Sequence, residues 1–227
     1  MTSARVIMNI VTALLARIRD PFSAISHYVG AGVALAGAIV LLVLSWGTPV
    51  AVTSFSIYSV SLVALYLASA IYHTPVNHSK LLQRFDHAAI YLMIFGTYVP
   101  IALLGVPGKA GFTMLALGGI MGGIGVATLF SKSGGPKWLR VTLCSIMGWL
   151  ALFFIGPIYE AQGMSFVVWM LGGGVVFTVG TVIYSLNRPR LWPGKFGAHD
   201  LWHIFVIGGS VCHYVVMLHL LNGIRGS

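Results

Sequence analysis

Acidic side chains are almost missing from this sequence. Asp and Glu together number four in 227 residues, against thirteen Lys and Arg, and charged residues of both signs make up only 7% of the chain. Soluble globular proteins carry about a quarter. Seventeen charges cannot solvate a surface of this size, which excludes a soluble enzyme, a disordered tail and a DNA-binding domain together. Cysteine is scarce too. Cys144 and Cys212 both lie inside apolar runs, which gives no support to a disulfide framework or a Cys-based zinc cluster. The signs of a signal peptide are also lacking: Met1 to Asp20 sets Arg5, Arg17 and Arg19 among Val6, Ile7, Ile10, Leu14, Leu15 and Ile18, with no uninterrupted apolar core and no small-residue cleavage site. Residues 1–20 read as a basic amphipathic helix on the membrane surface, ahead of a single membrane domain over 21–227.

What remains is apolar. Hydrophobic residues reach 58% and mean hydropathy is +0.93, the composition of an integral membrane protein. A membrane helix needs about 20 apolar residues, so the charge-free runs count the spans. Pro21 to Ser79 is long enough for two helices, with Trp46, Gly47, Thr48 and Pro49 as the turn between them. His87–Gly108, Ala110–Ser131, Val141–Tyr159, Ala161–Asn187 and Leu201–Ile224 take one helix each. The expected fold is an all-α bundle of seven transmembrane helices. A β-barrel would need alternating segments of about 10 residues, which these runs do not provide.

Lys and Arg fall unevenly on the two ends of those helices. Arg5, Arg17, Arg19, Lys80, Arg84, Lys132, Lys137, Arg140, Arg188, Arg190 and Lys195 share one side, and only Lys109 and Arg225 lie on the other. The positive-inside rule then puts the N-terminus in the cytoplasm and the C-terminus outside. The +9 balance is thereby explained by topology, and no nucleic-acid partner is needed. Glycines at helical spacing (Gly118 with Gly122, Gly119 with Gly123, Gly172 to Gly174, Gly180, Gly208 and Gly209) read as close helix packing.

Polar residues at helix ends carry the functional information, because burying them in hydrocarbon is costly without a partner. Helix 2 ends at Ser69-Ala-Ile-Tyr-His73, helix 3 opens with Asp86 in its expected first turn, and helix 7 opens with His199-Asp-Leu-Trp-His203. Charge counting brings all of these to the cytoplasmic depth. Three neutral imidazoles with an open fourth position are the ligand set of a catalytic zinc. An i, i+4 pair, one turn of about 5.4 Å apart, can aim both rings at one ion. Histidines at helix ends also contact lipid headgroups or backbone carbonyls, and that reading stays open beside the metal. His213, roughly 21 Å deeper on helix 7 than His199, shares the stripe but cannot share the ion. His27 has the depth for a supporting contact to a metal ligand. His78, His87 and His219 receive no role at the site.

Ser69-xxx-His73, Asp86-His-Ala-Ala-Ile-Tyr91 and His199-Asp-Leu-Trp-His203, in that order on one membrane side, resemble the hemolysin III family, the bacterial branch of the progestin and adipoQ receptor superfamily. The resemblance runs from about Asp20 to Leu221. It implies that His73, His199 and His203 bind Zn2+, that Asp86 and Ser69 contact the metal-bound water, and that the protein sits in a bacterial cytoplasmic membrane. The family is also similar to alkaline ceramidases. That similarity implies a lipid amide or ester hydrolase with Asp86 as general base and Ser69 orienting the water or the developing oxyanion. Asp200, directly after His199, is a second candidate for the base. Two other classes stay open: a receptor-like regulator of membrane lipid state with a structural zinc, and a cytolytic protein. In each the partners are membrane lipids.

Overall fold

In a computed structural model, the described residues are 17–106, 108–189, 191–192 and 196–226. The expected surface helix over 1–20 falls outside them apart from 17–20, which form a turn and bend. Among the described residues the chain is helical throughout, and its one strand-like feature is an isolated bridge between Trp192 and Phe196. The helices are α1 (Pro21–Leu44), α2 (Pro49–His73), α3 (Lys80–Pro100, continued by a π turn over Ile101–Gly105), α4 (Lys109–Phe130), α5 (Lys137–Trp149, followed by a 3-10 turn over Leu150–Phe154), α6 (Ile155–Leu186) and α7 (Ala198–Gly226). Six helical stretches are long and apolar enough to cross a membrane, so this is a multi-pass membrane protein.

Local chemistry sets most boundaries. Pro21 and Pro49 open α1 and α2 at first-turn positions, where a missing N–H costs nothing. Gly47, at φ 94°, makes the turn between them. The Ser79 hydroxyl caps α3 by accepting from the Leu82 amide at 3.3 Å. α3 therefore begins at Lys80, seven residues before the expected start at His87. Charge-free runs end where charges begin, but Lys80 and Arg84 are accommodated within the opening turns of the helix. Asp86 accordingly sits in the second turn of α3 rather than the first. Asn187, in the left-handed conformation (φ 51°), closes α6. The 50-residue stretch Lys137–Leu186 departs from helical geometry at Gly163 (φ 78°, ψ 179°), a conformation open to glycine.

α1 shows how the bundle packs. Its inward face is small, with Ala24, Ala31, Ala34 and Ala38 buried, while Val29, Val33, Ile39 and Val43 face outward. The small face lets α1 lie close to both α2 and α7, so the last helix closes on the first. The Tyr214 hydroxyl of α7 donates to the Gly37 carbonyl of α1 at 3.0 Å and bonds that contact. α5 is the loosest member, with Met147 its one buried residue.

Candidate metal centre

His73 is the last residue of α2, and His199 and His203 stand one turn apart in the opening of α7. Side by side, the two helix ends bring residues 126 positions apart into contact. His199 Nε2 lies 3.3 Å from His73 Nε2 and 3.2 Å from His203 Nε2, and one nitrogen from each ring falls within 4.8 Å of the others. A tetrahedral ion bound at 2.0–2.1 Å holds its nitrogen ligands about 3.3 Å apart. Both separations from His199 match that spacing. His73 and His203 are each 2% exposed, and His199 is the most open of the three.

The outward nitrogens decide the tautomers. His73 Nδ1 lies 2.8 Å from Asp20 Oδ2, a carboxylate that can only accept, so Nδ1 carries the proton and the Nε2 lone pair points into the cluster. Burial pushes the Asp20 carboxyl up, but hydrogen bonds from Arg19 and His73 outweigh it and hold it below the usual carboxylate range. Arg19 Nε donates to the same oxygen at 2.8 Å, and Arg19 Nη2 donates to the Tyr72 carbonyl at 2.8 Å. His203 Nδ1 lies 2.9 Å from His27 Nε2, so His203 too can spend its Nδ1 proton outward. Lone pairs from two helices then converge on His199 Nε2. One proton there could serve only one neighbour, whereas a cation serves all three. The donor set, spacing and tautomers fit zinc.

A cavity with about 170 Å³ open to water-sized molecules adjoins the cluster. The three histidines, Ser69, Asp86 and Arg140 stand on its wall beside apolar Leu65, Ile90, Met93, Ile94, Phe177 and Val206. Ser69 and Asp86 both line it, from α2 and α3 respectively. Chemically this is a polar wall at one end of an apolar chamber, suited to an amphiphile with its polar group at the imidazoles. The two candidate bases part here. Asp200 accepts from the Ser23 hydroxyl at 3.1 Å and from the Gly197 amide at 2.9 Å, which engages both its oxygens in fastening α7 to α1 and to the preceding turn. Asp86 is the carboxylate on the cavity wall.

All five expected site residues thus line one cavity. His27 is at the cluster as well, touching His203. His87 and His213 also line the cavity, and His213 packs its Nε2 edge against Gly173. His78 instead bonds the Tyr72 hydroxyl at 2.9 Å, and His219 lies by Ser165. Sequence reasoning missed Asp20. The available signal was its rarity as one of four acidic residues, placed just ahead of a helix-opening proline.

Comparison with known proteins gives concordant results. The family profile described as "Haemolysin-III related" matches residues 15–214. The chain is 36% identical to Hemolysin-3 of Bacillus cereus over 209 residues, covering 86% of this chain and 89% of that protein. It is 33% identical to a Hemolysin-3 homolog of Bacillus subtilis (strain 168), covering 86% and 91%. Heptahelical transmembrane protein 1 of Arabidopsis thaliana is 33% identical over 178 residues, covering 69% of this chain and 53% of that protein.

Proposed function

The chain belongs to the Haemolysin-III related family, and from that premise we propose that it is a zinc-dependent hydrolase of lipid amide or ester bonds. Its site would lie near the cytoplasmic face of a bacterial cytoplasmic membrane. The observation that carries the reading is the sharing of one wall: His73, His199 and His203 stand beside Asp86 and Ser69 on an otherwise largely apolar cavity. A zinc that only held helices together would need no adjoining chamber and no neighbouring carboxylate.

His73, His199 and His203 would hold the ion. Bound there, zinc would supply a Lewis acid and bring the acidity of water to a pKa of about 7. The chain's own groups supply the rest. Asp86 takes the proton of the attacking water on a carboxylate oxygen and returns it to the leaving amine or alcohol. Ser69, one turn before His73 on the same wall, orients that carboxylate by donating its hydroxyl to it. Leu65, Met93 and Phe177 receive the hydrocarbon and exclude bulk water.

Seven spans are part of this proposal. The stretch Lys137–Leu186 has 50 residues, about 75 Å if it were one straight helix, whereas hydrocarbon is about 30 Å thick. The break at Gly163 is where we divide it in two. The word "heptahelical" in the Arabidopsis relative's name agrees with that count. The Lys and Arg asymmetry supports a cytoplasmic N-terminus.

Mass spectrometry of membrane lipids tests the function. Cells carrying wild type should lose an amide- or ester-linked lipid and gain its fatty acid, and cells carrying Asp86→Asn should not. Zinc-loaded wild type that turns over no ceramide, N-acyl amide or phospholipid would overturn the hydrolase reading in favour of a lipid-responsive regulator.

A further inference from the structure

Asp20 occupies the N-cap position of α1 without capping it. An aspartate there ordinarily accepts from the amides of the first turn. Instead its Oδ2 turns away to His73, 53 residues on, and receives Nδ1–H at 2.8 Å. Three further contacts hold the carboxylate in place. Arg19 Nε donates to the same oxygen, the Asp20 amide donates to the His73 carbonyl at 3.2 Å, and the Arg19 amide donates to the Thr74 carbonyl at 3.2 Å. The Arg19 guanidinium also lies over the Tyr72 ring, 4.4 Å from its centroid. Arg19 Nη2 comes within 3.5 Å of His73 Nδ1, but the carboxylate contact is far shorter, so the proton belongs on Nδ1.

Two turns along the same helix, His27 stands in the corresponding place behind His203. Its ring is 2% exposed, packs edge-on against Tyr66 with centroids 5.1 Å apart, and meets His203 Nδ1 at 2.9 Å. Between these two residues Ser23 donates to Asp200, the neighbour of His199 in sequence. One face of α1 thus reaches the segment around each of the three histidines while contributing no ligand.

We infer that α1 is the outer shell of the metal centre, with Asp20 and His27 as positioning residues that fix the tautomer and ring orientation of His73 and His203. Holding Nδ1–H outward keeps the Nε2 lone pair on the ion. The two partners differ in kind: an anion behind His73 raises its donor strength, whereas a neutral imidazole behind His203 only orients it. The inference rests on the metal reading above and adds the residues that set the affinity.

Zinc affinity of the purified full-length protein in micelles, measured by chelator competition, is the test, with the absorption spectrum of the cobalt-substituted protein beside it. Removing an outer partner typically weakens metal binding about 10–100-fold. Asp20→Ala should do so and alter the cobalt bands. Asp20→Asn, which keeps an acceptor without the charge, should fall between it and wild type. His27→Phe should weaken binding, and His27→Gln, which restores an acceptor, should recover part of the loss. Tyr214→Phe breaks an α1–α7 hydrogen bond away from the cluster, so it should lower thermal stability while leaving zinc affinity and the cobalt spectrum alone. If Asp20→Ala does not fold, Asp20→Asn and His27→Phe decide. Variants at both positions that bind zinc within about twofold of wild type, with an unchanged cobalt spectrum, would overturn the inference and leave the metal reading standing. Wild type that binds no zinc would overturn the metal reading, and this inference with it.

Discussion

Ser69 of α2 and Asp86 of α3 stand on the wall of one cavity, and Ser69 lies one helical turn before His73. The carboxylate thereby shares a chamber with the helix that carries His73. Asp86→Asn keeps the shape of the side chain while removing its ability to accept a proton. It is expected to retain full zinc occupancy and nearly the thermal stability of wild type, with lipid hydrolysis abolished. Ser69→Ala should slow turnover less, because the carboxylate survives. Zinc content, melting temperature and lipid turnover on the same preparations check this. An Asp86→Asn protein as active as wild type would remove Asp86 from the base role.

One zinc per chain is expected. His73→Ala or His203→Ala leaves two protein ligands, and occupancy should fall steeply. Chelation should lower the melting temperature of wild type, since α2 and α7 would lose a shared ion, and should change that of a double variant carrying both His73→Ala and His203→Ala little. Elemental analysis of purified protein decides, and full occupancy in the double variant would rule out these ligands.

The proposed cytoplasmic placement of the site predicts labelling. In a background without Cys144 and Cys212, Ser133→Cys, an exposed position in the α4–α5 connection, should resist an impermeant thiol reagent in intact cells. It should react once the cells are opened. Reaction from outside would invert the topology.

Packing makes its own prediction at Gly125. The Tyr91 ring, 1% exposed, occupies the space where a Cβ on Gly125 would go. Gly125→Ala should destabilise the α3–α4 pair by about 1–3 kcal/mol, the usual cost of overfilling a packed site. Zinc content per folded molecule should not change. Thermal melting with parallel zinc analysis checks both halves.

Much of the centre was legible because its signals are local or topological. Ser69 with His73 and His199 with His203 each repeat at four residues, and counting Lys and Arg puts both pairs at one membrane depth. Hydropathy was less informative about where helices start, since Lys80 and Arg84 lie inside α3, and Asp86 moved a turn inward as a result. The break at Gly163 falls three residues after Glu160, where the charge-free runs already divide, although the positive φ itself is a backbone event that hydropathy does not report. Asp20 was overlooked for another reason. Its position reads as an ordinary helix cap, and its partner lies 53 residues away, beyond any spacing rule.

The wide separation of the histidines also bears on how the protein is made. His73 leaves the ribosome 126 residues before His199, so the histidine cluster is incomplete until the final helix has entered the bilayer. Asp200, fastened to Ser23 across 177 residues, docks that helix onto the first. A chain truncated before Ala198 would lack two of the three imidazoles, which would make metal capture a marker of completed biogenesis.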